Sequence, residues 1–226
     1  MGSRIRLFNG LSIAFQRWAP CLSGGPRVLC LHGWLDNSNS FAYLGPRLAT
    51  HGYDVVAIDH IGNGFSDHYS PDCTSSSFDR ITNVRGVLDG LGWDNAIVIG
   101  HSMGAGIGLI FSGVYPEIVT KLVMIDGLGP PTKSPESAPK SVRRAIDKQA
   151  AYYVKQKGFD RPKLYDTIQA AVDARVRNVL SYPGNQSLSY EAASHLITRY
   201  TSHAHIYLTY YCLNCPNITT LLYTIL

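Results

Sequence analysis

The chain has 226 residues, 45% of them hydrophobic and 16% charged, with mean hydropathy near zero. That balance fits one globular domain with a sizeable core and excludes a disordered chain, and the absence of a run of 18 apolar residues predicts no membrane span. The net charge of +4 comes from residues 131–200, with 12 basic and 6 acidic side chains against 8 and 10 in residues 1–130, and no aromatic interleaving marks a nucleic-acid surface.

Arg4–Phe8, Asn9-Gly10 and Leu11–Trp18 predict a hairpin with a tight two-residue turn, because Asn-Gly suits left-handed dihedrals. Pro26–Leu31 is a short apolar run, as in a strand buried on both faces, and it ends at His32-Gly33-Trp34-Leu35-Asp36-Asn37. Asn37 or Ser38 caps a predicted helix with Phe41, Leu44 and Leu48 on one face, shortened or kinked by Pro46. Tyr53–Asp59 is the next strand and runs into the glycine-punctuated loop His60–Asp67. Ser76 or Ser77 then caps a stripe of Phe78, Ile81, Val84, Leu88 and Leu91, closed by Gly92.

The next stretch dominates the chain. Ala96–Ile99 runs into Gly100-His101-Ser102-Met103-Gly104, with an apolar helical run to Tyr115 behind it. Gly-x-Ser-x-Gly between a strand and a helix reads as a nucleophile elbow, in which glycines let the two backbones pass and the serine oxygen stands clear of the sheet. Lys121–Ile125 supplies a further strand with Asp126 at its end. The β-α alternation implies parallel strands joined by right-handed crossovers.

Residues 128–140 read as a linker, followed by amphipathic segments around 141–157, 164–181 and 189–200 with stripes Val142, Ile146, Tyr153 and Ile168, Val172, Val176, Leu180, taken as a helical cap. Residues 201–226 contain no Asp, Glu, Lys or Arg and have high β-propensity, so they pack as an extra strand or are an aggregation liability. The expected organisation is a core over 1–129, a cap over 130–200 and a charge-free tail over 201–226.

These motifs resemble the α/β-hydrolase superfamily and, within it, the serine hydrolase-like proteins: Leu31–Ser38, His68-Tyr69-Ser70-Pro71, Gly100–Gly104 and Tyr115-Pro116-Glu117 all match that pattern. The resemblance implies an α/β fold with a mostly parallel sheet and a helical cap. It implies Ser102 as nucleophile and the backbone amides of Trp34 and Met103 as the oxyanion hole. Serine rather than aspartate at the elbow argues against dehalogenase or epoxide hydrolase chemistry.

The chain departs from the superfamily after the cap. The family order is Ser, then acid, then His on a C-terminal loop, yet the core strands expected after residue 200 are missing from the sequence pattern. Asp126 is either the triad acid or only a cap on the linker turn. No base is assigned: His101, beside the serine, is read as a packing residue, His195 lies in a helical stripe, and His203 and His205 fall in the tail.

Two functions follow. The first is a serine hydrolase acting on a small ester or thioester; the second is a truncated or alternatively spliced chain that keeps the crevice and at most binds. A small acyl compound is the expected partner, with no nucleic acid, cofactor or metal. Five cysteines at 21, 30, 73, 212 and 215 form no framework, and Cys212 and Cys215 lack the second pair of a zinc site. Gly104, Gly106 and Gly108 miss the dinucleotide spacing because position 109 is Leu. The absence of a signal-peptide pattern predicts a cytoplasmic protein in which the sequons at Asn185 and Asn217 are inert; the resemblance suggests peroxisomal association, which Thr224-Ile225-Leu226 does not support.

Overall fold

Val28–Leu31 and Val55–Ile58 are continuous apolar runs, and a strand with no polar alternation is stable only when covered on both faces. In the computed structural model, which describes residues 3–20, 24–70, 77–128, 134, 136–155, 163–181, 186–199, 201–202 and 205–208, they form the centre of a six-stranded sheet. Its strands are β1 (Ser3–Arg6), β2 (Ser12–Trp18), β3 (Arg27–Leu31), β4 (Asp54–Ile58), β5 (Ala96–His101) and β6 (Val119–Ile125), in the order β1-β2-β4-β3-β5-β6. β4, β3, β5 and β6 run parallel, and β1 and β2 are antiparallel.

Helices lie on both faces: α1 (Leu44–Thr50), α2 (Ser77–Leu91) and α3 (Met103–Val114). One core joins Leu29, Leu31, Val56, Ile58 and Val98 of the sheet to Val84, Val87 and Leu88 of α2 and Ile107 and Phe111 of α3. A smaller one packs Val28, Cys30, Val55, Ala57 and Ile99 against Phe41, Trp18, Leu44 and Leu48. Cys30, the only described cysteine, is buried there, and burial raises its thiol pKa. Cys21, Cys73, Cys212 and Cys215 lie outside the described residues, as do Asn185, Asn217 and the proposed cap residue Ser76.

Several elements depart from the sequence expectation. The hairpin loop has three residues rather than two: Leu7 N–H donates to the Leu11 carbonyl, Gly10 N–H donates to the Leu7 carbonyl, and Gly10 takes φ +82° while Asn9 does not enter the left-handed region. This is a type I turn with a glycine bulge, and the Asn9 side chain accepts from Leu11 N–H instead of supplying a positive φ. The single helix expected after Asn37 is split. Asn37 caps a 3-10 turn, Ser38–Phe41, and α1 starts again at Leu44, with Pro46 in its first turn where a missing N–H costs no helical bond.

Beyond β6 the chain forms α4 (Ala138–Lys155), β7 (Lys163–Tyr165), α5 (Ile168–Val179), α6 (Tyr190–Thr198), β8 (Thr201–Ser202) and β9 (His205–Leu208). β7 falls where helix was expected, and β9 pairs antiparallel with it, so the start of the charge-free tail is indeed a strand. The buried face of α5 is Ala171, Val172, Ala174 and Val179; Ile168 and Leu180 are exposed. Small residues win because α5 packs against α6 through Ala171, Val172, Ala193 and Ile197.

Among the described residues β6 pairs only with β5, and its Val123, Met124 and Ile125 are exposed, as is the following Leu128. Among the described residues no strand covers the free edge of β6.

Candidate active site

Three sheet ends converge above β3, β5 and β6. At the end of β5, Ser102 takes φ 49° and ψ −112° between the strand and the first residue of α3, and it is exposed. A non-glycine residue in this region stores of order 1–3 kcal/mol of strain, held by its surroundings. Those surroundings are glycines. A Cβ on Gly100 would meet the Gly104 carbonyl and the Ala105 nitrogen, and one on Gly104 would overlap the Leu31 carbonyl. The turn of Gly-His-Ser-Met-Gly is thus as tight as the sequence implies. Met103 opens α3, so its amide has no intrahelical acceptor.

The second wall is the turn after β3. Asp36 N–H donates to the Gly33 carbonyl at 3.3 Å, and Leu35 sits at φ 57°, which leaves Trp34 at the crest of the turn. Beneath it, His32 is fully buried. Its Nε2 accepts from the His60 backbone N–H at 3.0 Å, so its Nδ1 carries the proton and donates to the Gly33 carbonyl at 2.8 Å.

The third wall is Asp126–Gly127 after β6. Ser102 N–H donates to the Ile125 carbonyl at 2.9 Å, and a Cβ on Gly127 would sit 3.1 Å from the Ser102 carbonyl. Asp126 is exposed, with φ 51°. Ser102, Asp126, Trp34 and Met103, separated by as many as 92 positions, therefore all follow the C-terminal ends of three adjacent parallel strands.

His101 turns its ring onto Gly33: a Cβ there would lie 2.8 Å from His101 Nδ1. The same nitrogen is 3.6 Å from Asp36 Oδ2. That contact raises the imidazole pKa against the effect of burial, and the charges of Asp36 and Asp126 add to it. Burial pushes the Asp36 carboxyl up, but His101 and the Arg175 guanidinium, 2.7 Å from Oδ1, outweigh it and leave it lowered. His101 is thus more than the packing residue the sequence suggested, although no hydrogen bond joins it to Ser102 among the described residues.

His195 does not face the site. Its ring stands edge-on to Tyr43 at 5.4 Å and its Nε2 lies 3.2 Å from the tyrosine hydroxyl. His203 lies outside the described residues, as does the side chain of His205. Sequence reasoning missed the clamp that holds α5 and α6 over these loops. Asn37 Nδ2 donates to the Leu196 carbonyl at 2.8 Å, Asn39 Nδ2 to the His195 carbonyl at 2.5 Å, and Arg199 Nε bonds both oxygens of Asp59 at 2.9 Å. Asp36, Asn37 and Asn39 in one short stretch were the available signal.

The buried His32–His60 pair, with ring centroids 4.5 Å apart, gives the molecule an acid-sensitive core. Burial lowers both pKa values, His60 well below its ordinary value. A base whose folded pKa is depressed binds its proton in the unfolded chain first, so stability falls as pH drops below about 6.5. His101, shifted the other way, contributes stability below that pH and loses it as pH rises. Because two buried groups oppose one half-exposed group, urea unfolding should show lower stability at pH 5 than at pH 7, and His60→Leu should flatten that slope.

Residues 26–161 match a family model described as alpha/beta hydrolase fold. The chain belongs to the α/β-hydrolase family. This α/β-hydrolase chain is 33% identical to a serine hydrolase-like protein of Dictyostelium discoideum over 195 residues, 86% of the chain and 51% of that protein. It is 43% identical to a human serine hydrolase-like protein over 114 residues, half of the chain and 55% of that protein. Among solved structures it resembles a hypothetical protein of Pseudomonas aeruginosa PAO1, with TM-score 0.79 and 33% identity over 96% of the chain and 72% of that chain. The chain spans about half the length of the curated relatives it matches. No described helix is long and apolar enough to cross a membrane, and no three described His, Cys, Asp or Glu side chains converge as metal ligands.

Proposed function

We propose that the chain carries the acyl-transfer site of a serine hydrolase acting on a small ester or thioester. The observation that carries this reading is the exposed Ser102 at φ 49° between β5 and α3. Ser102 Oγ attacks the acyl carbonyl, and the oxyanion that forms lies toward the amides of Trp34 and Met103, at the positive N-terminus of α3. The alcohol or thiol leaves with a proton, and water then cleaves the Ser102 ester to release the acid. Asp126 is the acid that would orient a base.

A second reading has its own support. Among the described residues no imidazole is hydrogen-bonded to Ser102, and loss of a triad member costs about 10⁴–10⁶ in turnover. On that reading the crevice binds an acyl compound without cleaving it.

Intact-mass detection of fluorophosphonate addition to the chain separates the two. The hydrolase reading expects one adduct per chain, abolished by Ser102→Ala. An unlabelled but folded chain would leave the binding reading standing.

A further inference from the structure

Asp36 is 8% exposed and faces a guanidinium and an imidazole: Arg175 Nη2 lies 2.7 Å from Oδ1 and His101 Nδ1 lies 3.6 Å from Oδ2. The same residue closes the Gly33–Asp36 turn through its backbone N–H, and Gly33 is walled by the His101 ring and by Asp36 Oδ2. The position of the Trp34 amide therefore follows from where carboxylate and imidazole sit. We propose that Arg175 and Asp36 are positioning residues that act through His101 to fix this turn beside Ser102, coupling α5 to the oxyanion amide. The inference rests on the hydrolase reading for its consequence, but not for its geometry.

Three observations support the direction of control. First, α5 is placed independently of Asp36: it packs on α6 through Ala171, Val172, Ala193 and Ile197, and α6 is tied to the core through Asn37 and Arg199. The guanidinium is delivered to Asp36 by a helix already docked. Second, the carboxylate that Arg175 reaches is nearly buried, and the same residue's backbone N–H closes the Gly33–Asp36 turn, so the pair and the turn share one residue. Third, the turn needs an external hold, because Leu35 occupies the left-handed region without being glycine.

Among the described residues, the charges that act on His101 are Asp36 on the β3 turn and Asp126 after β6, and Arg175 on α5 pairs with Asp36. Their arrangement gives variants of opposite sign. Arg175→Met removes the guanidinium paired with Asp36 Oδ1, so the carboxylate acts more strongly on the imidazole and its pKa rises; Asp36→Asn removes the carboxylate beside His101, so it falls. NMR titration of the His101 ring, with the Trp34 amide resonance followed in the same spectra, reads both. Fluorophosphonate labelling of Ser102 across pH is the second readout. Arg175→Met should slow it about 10- to 100-fold, as expected for a misplaced donor, with Arg175→Lys restoring part of the rate.

Opposite shifts of His101 together with movement of the Trp34 amide establish the coupling. A His101 titration and a Trp34 amide unchanged in all three folded variants overturn it. Failure of the wild-type chain to label would count against the hydrolase reading, while the NMR shifts would still decide the positioning.

Discussion

Arg199→Ala should lower the stability of the chain by about 3–5 kcal/mol, the cost of leaving a buried charge without its partner. Asp59 is fully buried at the end of β4, and Arg199 at the end of α6 is 7% exposed. The carboxylate is used from every side. Its oxygens accept from Arg199 Nε at 2.9 Å, from Ser38 N–H at 2.8 Å and from Phe65 N–H at 2.9 Å. A Cβ on Gly64 would collide with it, so the loop after β4 wraps directly onto the carboxylate. The guanidinium also lies over the Phe65 ring at 4.9 Å.

Removing the cation leaves two backbone donors that only partly compensate the charge, and it removes one of the ties of α6 to the core, those from Asn37 and Asn39 remaining. Replacing both partners with leucine should not recover the full loss, since the Ser38 and Phe65 amides would then lack their acceptor. Urea denaturation of the single and double variants measures this directly. A single-variant loss under 1 kcal/mol would mean that water reaches Asp59 and that the pair is only a surface contact.

The sheet was legible because the signals that specify it are local. Apolar runs at Val28–Leu31 and Val55–Ile58, each ending at a polar loop, mark buried parallel strands. Gly100 and Gly104 mark a crossing that only hydrogen in place of Cβ permits. The failures have a shared cause. Whether Asn9-Gly10 makes a two- or three-residue loop depends on the strand register, which pairs Arg6 with Ser12. The buried face of α5 depends on which residues let α6 approach, and Ala171 serves better there than Ile168.

The clamp between core and helices was illegible for a stronger reason. Asp36 meets Arg175 across 139 positions, and Asn37 meets Leu196 across 159. No periodicity carries a contact of that kind. What the sequence offered was composition, three Asp or Asn side chains on a turn between strand and helix, and this reads equally as turn chemistry. The same limit applies at the site. The tight turn at Ser102 is marked by its own neighbouring glycines, whereas the contacts of His101 with Gly33 and Asp36 join distant parts of the chain.

Gly104→Ala should cost about 3 kcal/mol, at the upper end of overpacking effects. The methyl would overlap the Leu31 carbonyl and lie within 2.8 Å of the His32 carbonyl. Both are backbone atoms at the end of β3, so no rotamer change relieves the contact; α3 must lift from the sheet or β3 must shift. Either movement disturbs the Leu29, Leu31, Ile107 and Phe111 packing. It also separates the Met103 amide from the Trp34 turn, because Gly104 follows Met103 and His32 leads into Gly33 and Trp34. Gly106→Ala provides the comparison: its Cβ meets nothing within 4 Å, and alanine favours helix over glycine by about 1 kcal/mol. Denaturant unfolding should therefore move in opposite directions for two glycines two positions apart on one helix. If both variants were stabilised, β3 and α3 would have to stand farther apart than the Gly104–Leu31 contact places them, and a two-amide oxyanion site would lose its geometric basis.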